Sequence, residues 1–238
     1  MEHSSKSLWH FLQTPAGRYL KHCEERFFTE ALSCASIAGN RILQIGLPEF
    51  NLLPAERSSH FYLTSAYPHS KAQLLCLPEF LPFPEKSMDI VIAPHVLENS
   101  DNPHQTLREI ERVLIPEGFL LLSGINARSL WRFQKLPWRN TLMSLARLKD
   151  WLKLMNFEYI QGKITAYVPP FASEKMIRRL AFLDRAGDRW WPLQGGLYCL
   201  VAKKSIPAMT PIRLTSRWRA MPAAGKLVSI PERGKYGQ

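Results

Sequence analysis

The chain of 238 residues has no run approaching eighteen apolar residues, which excludes an ordinary membrane-spanning helix. Its opening stretch, MEHSSKSLWHFLQ, has no long apolar segment of the secretory kind, and a cytoplasmic protein is expected. Cysteine is scarce. Cys23, Cys34, Cys76 and Cys199 form no C-x-x-C pair and no His/Cys spacing suited to zinc, so no metal site is expected. Cys23 and Cys34 fall on one predicted helix, too far apart along it to bridge, and the thiols read as reduced. Acidic residues are in deficit, 20 against 31 lysines and arginines, for a net charge of +11. The stretch 205–238 contributes +5 of this, from six basic residues and Glu232. Such a balance permits attraction to nucleic acid or acidic lipid. Glycine is missing where a nucleotide-binding loop would use it: after RILQIG the chain continues with Leu47, Pro48, Glu49 and Phe50.

What is present is a regular alternation of strands and helices. Thr14-Pro15 is a helix start, and Leu20, Cys23, Phe27, Ala31 and Cys34 recur at helical spacing, which predicts a helix over 15–38. Strands are predicted at 41–46, 60–65, 72–77, 88–93 and 119–124. SDNPHQTLREIERVLIPEG reads as a helix capped by Asp101 or Asn102, apolar along Leu107, Ile110, Val113 and Leu114, and stopped at Pro116-Glu117-Gly118. A helix at 141–155 ending on Asn156, a strand at 157–168, a helix at 173–185 and a strand at 196–204 complete the pattern. This is an α/β sheet with helices on both faces. The prolines and basic residues after Ser205 read as a disordered tail. The expected organisation is a helical segment 1–40 packed on a core 41–204, then the tail 205–238.

One stretch carries a family resemblance. Leu81-Pro82-Phe83-Pro84, Met88-Asp89-Ile90-Val91, His95-Val96-Leu97-Glu98, Arg108-Glu109-Ile110-Glu111-Arg112-Val113-Leu114 and Pro116-Glu117-Gly118 follow one another in order. The series resembles the class I S-adenosylmethionine-dependent methyltransferases of the type 11 kind. TPAGRYL at 14–20 and WLKLMNFEYI at 151–160 are similar to a small proteobacterial branch of that family. The resemblance implies a Rossmann-like, doubly wound sheet of seven strands with the last antiparallel, plus an N-terminal helix. It also implies S-adenosylmethionine bound across the carboxyl ends of the central strands, where ligands of open α/β sheets generally sit.

By position, the implied cofactor contacts are Gln44, Gly46, Leu47, Ser65, Glu79, Phe80, Leu81 and Pro94, and the implied candidate base is His95. The family's acidic anchors are replaced. Gln44 stands at the acidic position of the glycine motif, Thr64 and Ser65 end the second strand, and Leu77 takes the place of the adenine-binding acid. A carboxylate's charge-assisted hydrogen bond is worth roughly 1.5–3 kcal/mol, and each replacement forfeits one. Only 35 residues separate Gly46 from Leu81, so the helix after the glycine turn should be short.

Each of these residues also has a structural reading. Gly46 is a turn glycine or a cofactor floor. His95 is a base or a hydrogen-bonded loop anchor, and Glu98 a structural partner or an exposed helix-start charge. Arg108, Glu109, Glu111 and Arg112 form a solvated, ion-paired face. Trp190-Trp191, Trp131 and Trp138 are packing residues or walls of an acceptor pocket. The expected activity is methyl transfer to an unidentified acceptor. The alternatives are a non-catalytic scaffold on the same fold, or a nucleic-acid binder acting through the basic tail.

Overall fold

The computed structural model describes residues 10–34, 37, 39–48, 60–66, 68, 71–133, 142–170 and 173–205. These lie in a compact unit, Met1–Pro207, distinct from a second unit, Ala208–Gln238. Apart from Ser205, the tail expected at 205–238 is outside the described residues, as are Glu49, Phe50, Trp138 and the short helix anticipated after Gly46.

Helix α1 (Pro15–Ser33) starts where the sequence places it. The Thr14 hydroxyl accepts from the Gly17 amide at 3.1 Å, and Pro15 occupies the first turn, where no amide hydrogen is needed. It ends at Ser33, short of the expected 38. The strands are β1 (Arg41–Ile45), β2 (His60–Ser65), β3 (Leu74–Leu75) and β4 (Met88–Pro94), then β5 (Leu114–Ile125), β6 (Phe157–Thr165) and β7 (Leu197–Lys204). They form one seven-stranded sheet in the order β3-β2-β1-β4-β5-β7-β6. β1 to β5 pair in parallel, and β7 runs antiparallel between β5 and β6. This is the expected seven-stranded α/β sheet with its last strand reversed.

The remaining helices are α2 (Val96–Asn99), α3 (Pro103–Val113), α4 (Leu145–Leu154), α5 (Glu174–Leu180) and α6 (Phe182–Trp190). α3 is capped by Asn102, whose side chain accepts from the Gln105 amide at 3.1 Å. Asn156 follows α4 at φ 59°, the left-handed conformation its short polar side chain tolerates.

Several boundaries differ from expectation. The strand expected at 72–77 shrinks to two residues, because Leu74 and Leu75 sit at the sheet edge and only β2 pairs with them. Pro116-Glu117-Gly118 does not separate helix from strand. The chain turns extended at Leu114, and the three residues lie inside β5, opposite the register shift between Met88 and Ile90. The single helix expected at 173–185 divides at Ala181 into α5 and α6.

Each sheet face carries a core. α1 covers one face, packing Leu20, Phe28 and Leu32 on Ile42, Ile90, Ile92, Leu121 and Val201. α3 and α4 cover the other, packing Leu107, Ile110, Val113, Leu148 and Leu152 against Leu43, Val91, Leu120 and Leu200. The near-continuous apolar sequence of β4 follows from this two-sided burial.

Candidate functional site

Because β1, β2 and β4 run parallel, their carboxyl ends lie on one rim of the sheet. β1 ends in Gly46 at φ 74° and Leu47 at φ 45°. A left-handed glycine costs little, whereas an L residue there costs roughly 1–2 kcal/mol. The turn closes on itself: the buried Gln44 amide donates to the carbonyls of Gly46 at 3.3 Å and Leu47 at 3.1 Å. The Gly46 amide in turn donates to Thr64 O at 2.9 Å, binding the turn to the end of β2, where Ser65 is buried. Leu47 is buried, so its side chain joins the core below rather than the rim.

After β3, the segment 76–83 crosses the same rim. Glu79 is buried and faces inward. Its Oε1 accepts from the Ser100 hydroxyl at 2.5 Å and from the Asp101 and Asn102 amides at 3.0 and 3.4 Å. It therefore joins this segment to the start of α3 through Oε1, while Oε2 is buried with no hydrogen-bond partner among the described residues. Leu81 is buried too, while Leu77 and Phe80 are 38% and 69% exposed and form an apolar shelf.

The helix face expected to be merely solvated has a definite task here. Arg112 donates to Leu81 O at 2.9 Å and Phe83 O at 2.8 Å, and Glu109, paired with it at 2.8 Å, accepts from the Leu81 amide at 3.2 Å. Arg112→Ala is expected to lower stability by about 1–2 kcal/mol in a denaturant titration, since two carbonyls would be deprived of a charged donor. A change below about 0.5 kcal/mol would show that water serves the turn equally well.

β4 ends in Pro94, which is buried, and His95 follows at φ 51°. His95 is 1% exposed and lies between two buried carboxylates. Its Nδ1 meets Glu98 Oε2 at 2.7 Å and its Nε2 faces Glu24 Oε2 at 3.6 Å. Glu98 comes from the short α2, and Glu24 projects from α1. Each carboxylate has a second anchor: Glu24 accepts from the Ser123 hydroxyl, and Glu98 from the Ile125 amide. The cluster thus joins α1, the β4 tip, α2 and the end of β5.

Burial alone would push the His95 imidazole down, but the charges of Glu24 and Glu98 outweigh it and hold its pKa up at about 10. The raised pKa favours the imidazolium at neutral pH, the form with no lone pair to accept a proton. Tyr198 lies beside the cluster, over Gly124. A Cβ at Gly124 would stand 2.7 Å from Glu98 Oε1 and collide with the tyrosine ring, so only glycine lets the two meet there. Burial, followed by the Glu98 charge, pushes the Tyr198 phenol well above its usual value.

The backbone at the rim therefore brings together Gln44, Gly46, Leu47, Ser65, Glu79, Phe80, Leu81, Pro94 and His95, the residues that the sequence points to, but the side chains of Leu47 and Glu79 turn inward. Glu24 and Ser123 escape a reading of the sequence. Glu24 looks like one more charge on an amphipathic helix, although its spacing from Leu20, Phe27 and Phe28 places it on the buried face. Trp131 is buried, its indole donating to Val168 O at 3.2 Å, and so serves packing. Trp190 and Trp191 are exposed and do not pack into the core. Among the described residues no group of His, Cys, Asp and Glu could hold a metal ion.

Strand order and the reversed seventh strand are those of the class I methyltransferase fold. A solved S-adenosylmethionine-dependent methyltransferase from Thermotoga maritima superposes with a TM-score of 0.55 at 16% identity, covering 83% of this chain and 100% of that one. Residues 63–122, from β2 through the core of β5, match a family model described as methyltransferase domain. Two curated relatives align over part of their length. The uncharacterized protein YafS of Escherichia coli (strain K12) is 40% identical over 93 residues, 36% of this chain and 39% of that protein. Demethylmenaquinone methyltransferase of Protochlamydia amoebophila (strain UWE25) is 26% identical over 137 residues, 56% of this chain and 55% of that enzyme. The chain thus spans 39% of the first relative and 55% of the second.

Proposed function

We propose that this protein transfers a methyl group from S-adenosylmethionine to an acceptor, with the donor seated on the rim formed by the ends of β1, β2, β3 and β4. The observation that carries this reading is the convergence of the family-matching segment with that rim: the shelf of Leu77 and Phe80 and the β4 tip both belong to the matched stretch. When bound, S-adenosylmethionine supplies an electrophilic methyl group on a sulfonium.

The residues present fit this cofactor through neutral and apolar contacts. Gly46 offers a turn without a side chain, and Leu77 and Phe80 expose apolar surface suited to an adenine ring. Neither Gln44 nor the β2 end at Ser65 offers a carboxylate for the ribose. A Kd of about 10 µM to 1 mM is expected, weak because no carboxylate accepts from the ribose or the adenine. Calorimetric titration of the purified chain tests this, together with transfer of a labelled methyl group. Absence of heat at about 5 mM cofactor would overturn the reading.

His95 acts here as a positioning residue. It fixes the β4 tip and ties it to α1, so proton removal from the acceptor falls to another group or to water. The relative named for demethylmenaquinone makes a quinone the first acceptor class to assay.

A further inference from the structure

The same rim continues across β5, β6 and β7, and there it has a different character. Three segments meet: 126–133 after β5, 166–170 after β6, and 182–196 leading into β7. They are held together by backbone and side-chain bonds. Asn126 donates to Leu193 O and Gly195 O at 3.0 Å, the Gly196 amide donates to Ala166 O at 2.8 Å, and the Trp131 indole reaches Val168 O.

On this framework stand large apolar side chains that are more than half exposed. Leu130 is 55% exposed, Phe133 63%, Phe182 60%, Trp190 70%, Trp191 54% and Leu193 57%. A few exposed hydrophobics are ordinary, but six in two segments that are bonded together at one rim, two of them tryptophans, point to an interaction surface.

The charge around the patch identifies the partner. Segments 128–133 and 173–193 carry seven arginines and lysines against three carboxylates. Two of those carboxylates are occupied: Glu174 pairs with Arg178 at 3.1 Å, and Asp184 accepts from Tyr19 and from the Tyr167 amide. Arg128, Arg132, Arg185 and Arg189 are exposed among the apolar side chains, with Arg132 4.7 Å over the Phe133 ring. Tryptophans with arginines between them are what a water–lipid boundary selects. The rings sit at headgroup level and the guanidinium groups meet lipid phosphates. Tryptophan and arginine also suit a protein interface, and it is the excess of basic over acidic residues in these segments that favours an anionic surface.

We propose that this rim docks on the surface of an anionic lipid bilayer. No helix among the described residues is long and apolar enough to cross a membrane, so the attachment is peripheral. Resting on the methyltransferase reading above, the acceptor is then an amphiphile dissolved in the bilayer, presented at the rim that seats the donor.

The test is co-sedimentation of the full chain, without cofactor, with vesicles of about 30% phosphatidylglycerol in phosphatidylcholine, and with pure phosphatidylcholine vesicles. Partition into the anionic vesicles is expected, falling about tenfold in the Trp190→Ser/Trp191→Ser variant at an unchanged melting temperature. Three results would overturn the proposal. One is no partition into anionic vesicles. Another is partition indifferent to the tryptophans, which would assign it to other basic residues. The third is a dimer in sedimentation velocity that the same substitutions dissociate, in place of vesicle binding, which would give the face to a second copy of the chain. For the acceptor, labelled methyl groups should enter the organic phase after incubation with a bacterial lipid extract. Label confined to the aqueous phase would remove the bilayer-dissolved acceptor. Vesicle partition is read without donor, and donor binding without vesicles, so either idea can fail alone.

Discussion

His95→Ala should lower the unfolding free energy by about 3–5 kcal/mol, the range observed when one partner of a buried charge pair is removed. Glu24 and Glu98, 0% and 3% exposed, would be left in a water-excluded site without their shared cation. Removal of a packed ring adds to this, so the alanine variant alone does not isolate the charge. The double variant Glu24→Gln/His95→Gln does. Removing the anion and the cation together should cost clearly less than the sum of the two single changes, because the charges are coupled across 3.6 Å. Guanidinium titrations of the four proteins give the coupling energy. Additive costs would mean that α1 is held only by its apolar face and that Glu24 is a passive buried acid.

The cluster also sets a pH dependence. The folded-state pKa of His95 is raised from 6.5 to about 10. A group raised in the folded state contributes stability that is fully present below its unfolded pKa and is lost as pH rises through the folded one. Stability should therefore fall between about pH 6.5 and pH 10, by at most about 1.4 kcal/mol per pH unit, and His95→Gln should flatten that slope. A wild-type profile level between about pH 7 and pH 9 would show that His95 is neutral in the folded protein. An imidazole with a free lone pair would then be available at the β4 tip, and the role of base would return to it.

How far the sequence disclosed this arrangement depended on whether the information was local. Helix starts were legible at Thr14-Pro15 and Asn102-Pro103 because a cap and a first-turn proline act within four residues. β4 was legible because burial on both faces leaves an apolar run. The length of β3 was not, since an edge strand is defined by what fails to pair with it. The family segment put Glu79 in the turn at the rim and Arg112 on the helix but said nothing of their orientation: whether a carboxylate turns to a ligand or to the amides of residues 101 and 102 depends on how α3 docks. Least visible was the charge cluster. Its members stand at 24, 95, 98 and 123, and nothing in the spacing of α1 says which strand end Glu24 will reach.

Orientation also decides the second large effect. By the family resemblance Leu77 takes the place of the adenine-binding acid, and Glu79 Oε1 is turned to the start of α3. Leu77→Asp should therefore tighten S-adenosylmethionine by roughly tenfold, up to about a hundredfold, as one charge-assisted hydrogen bond of roughly 1.5–3 kcal/mol is regained. The position is 38% exposed, so the change should shift stability by no more than about 0.5 kcal/mol and a gain in affinity would not be masked by unfolding. Leu75→Asp is the matched control. It places the same charge two residues away on the β3 edge, at a side chain 62% exposed, and should leave affinity unchanged. Equal gains from both would indicate general attraction between added negative charge and a cationic ligand. No gain at Leu77 would mean that the adenine does not lie on the 77–80 shelf, and that the donor, if held, is held in another orientation on the rim.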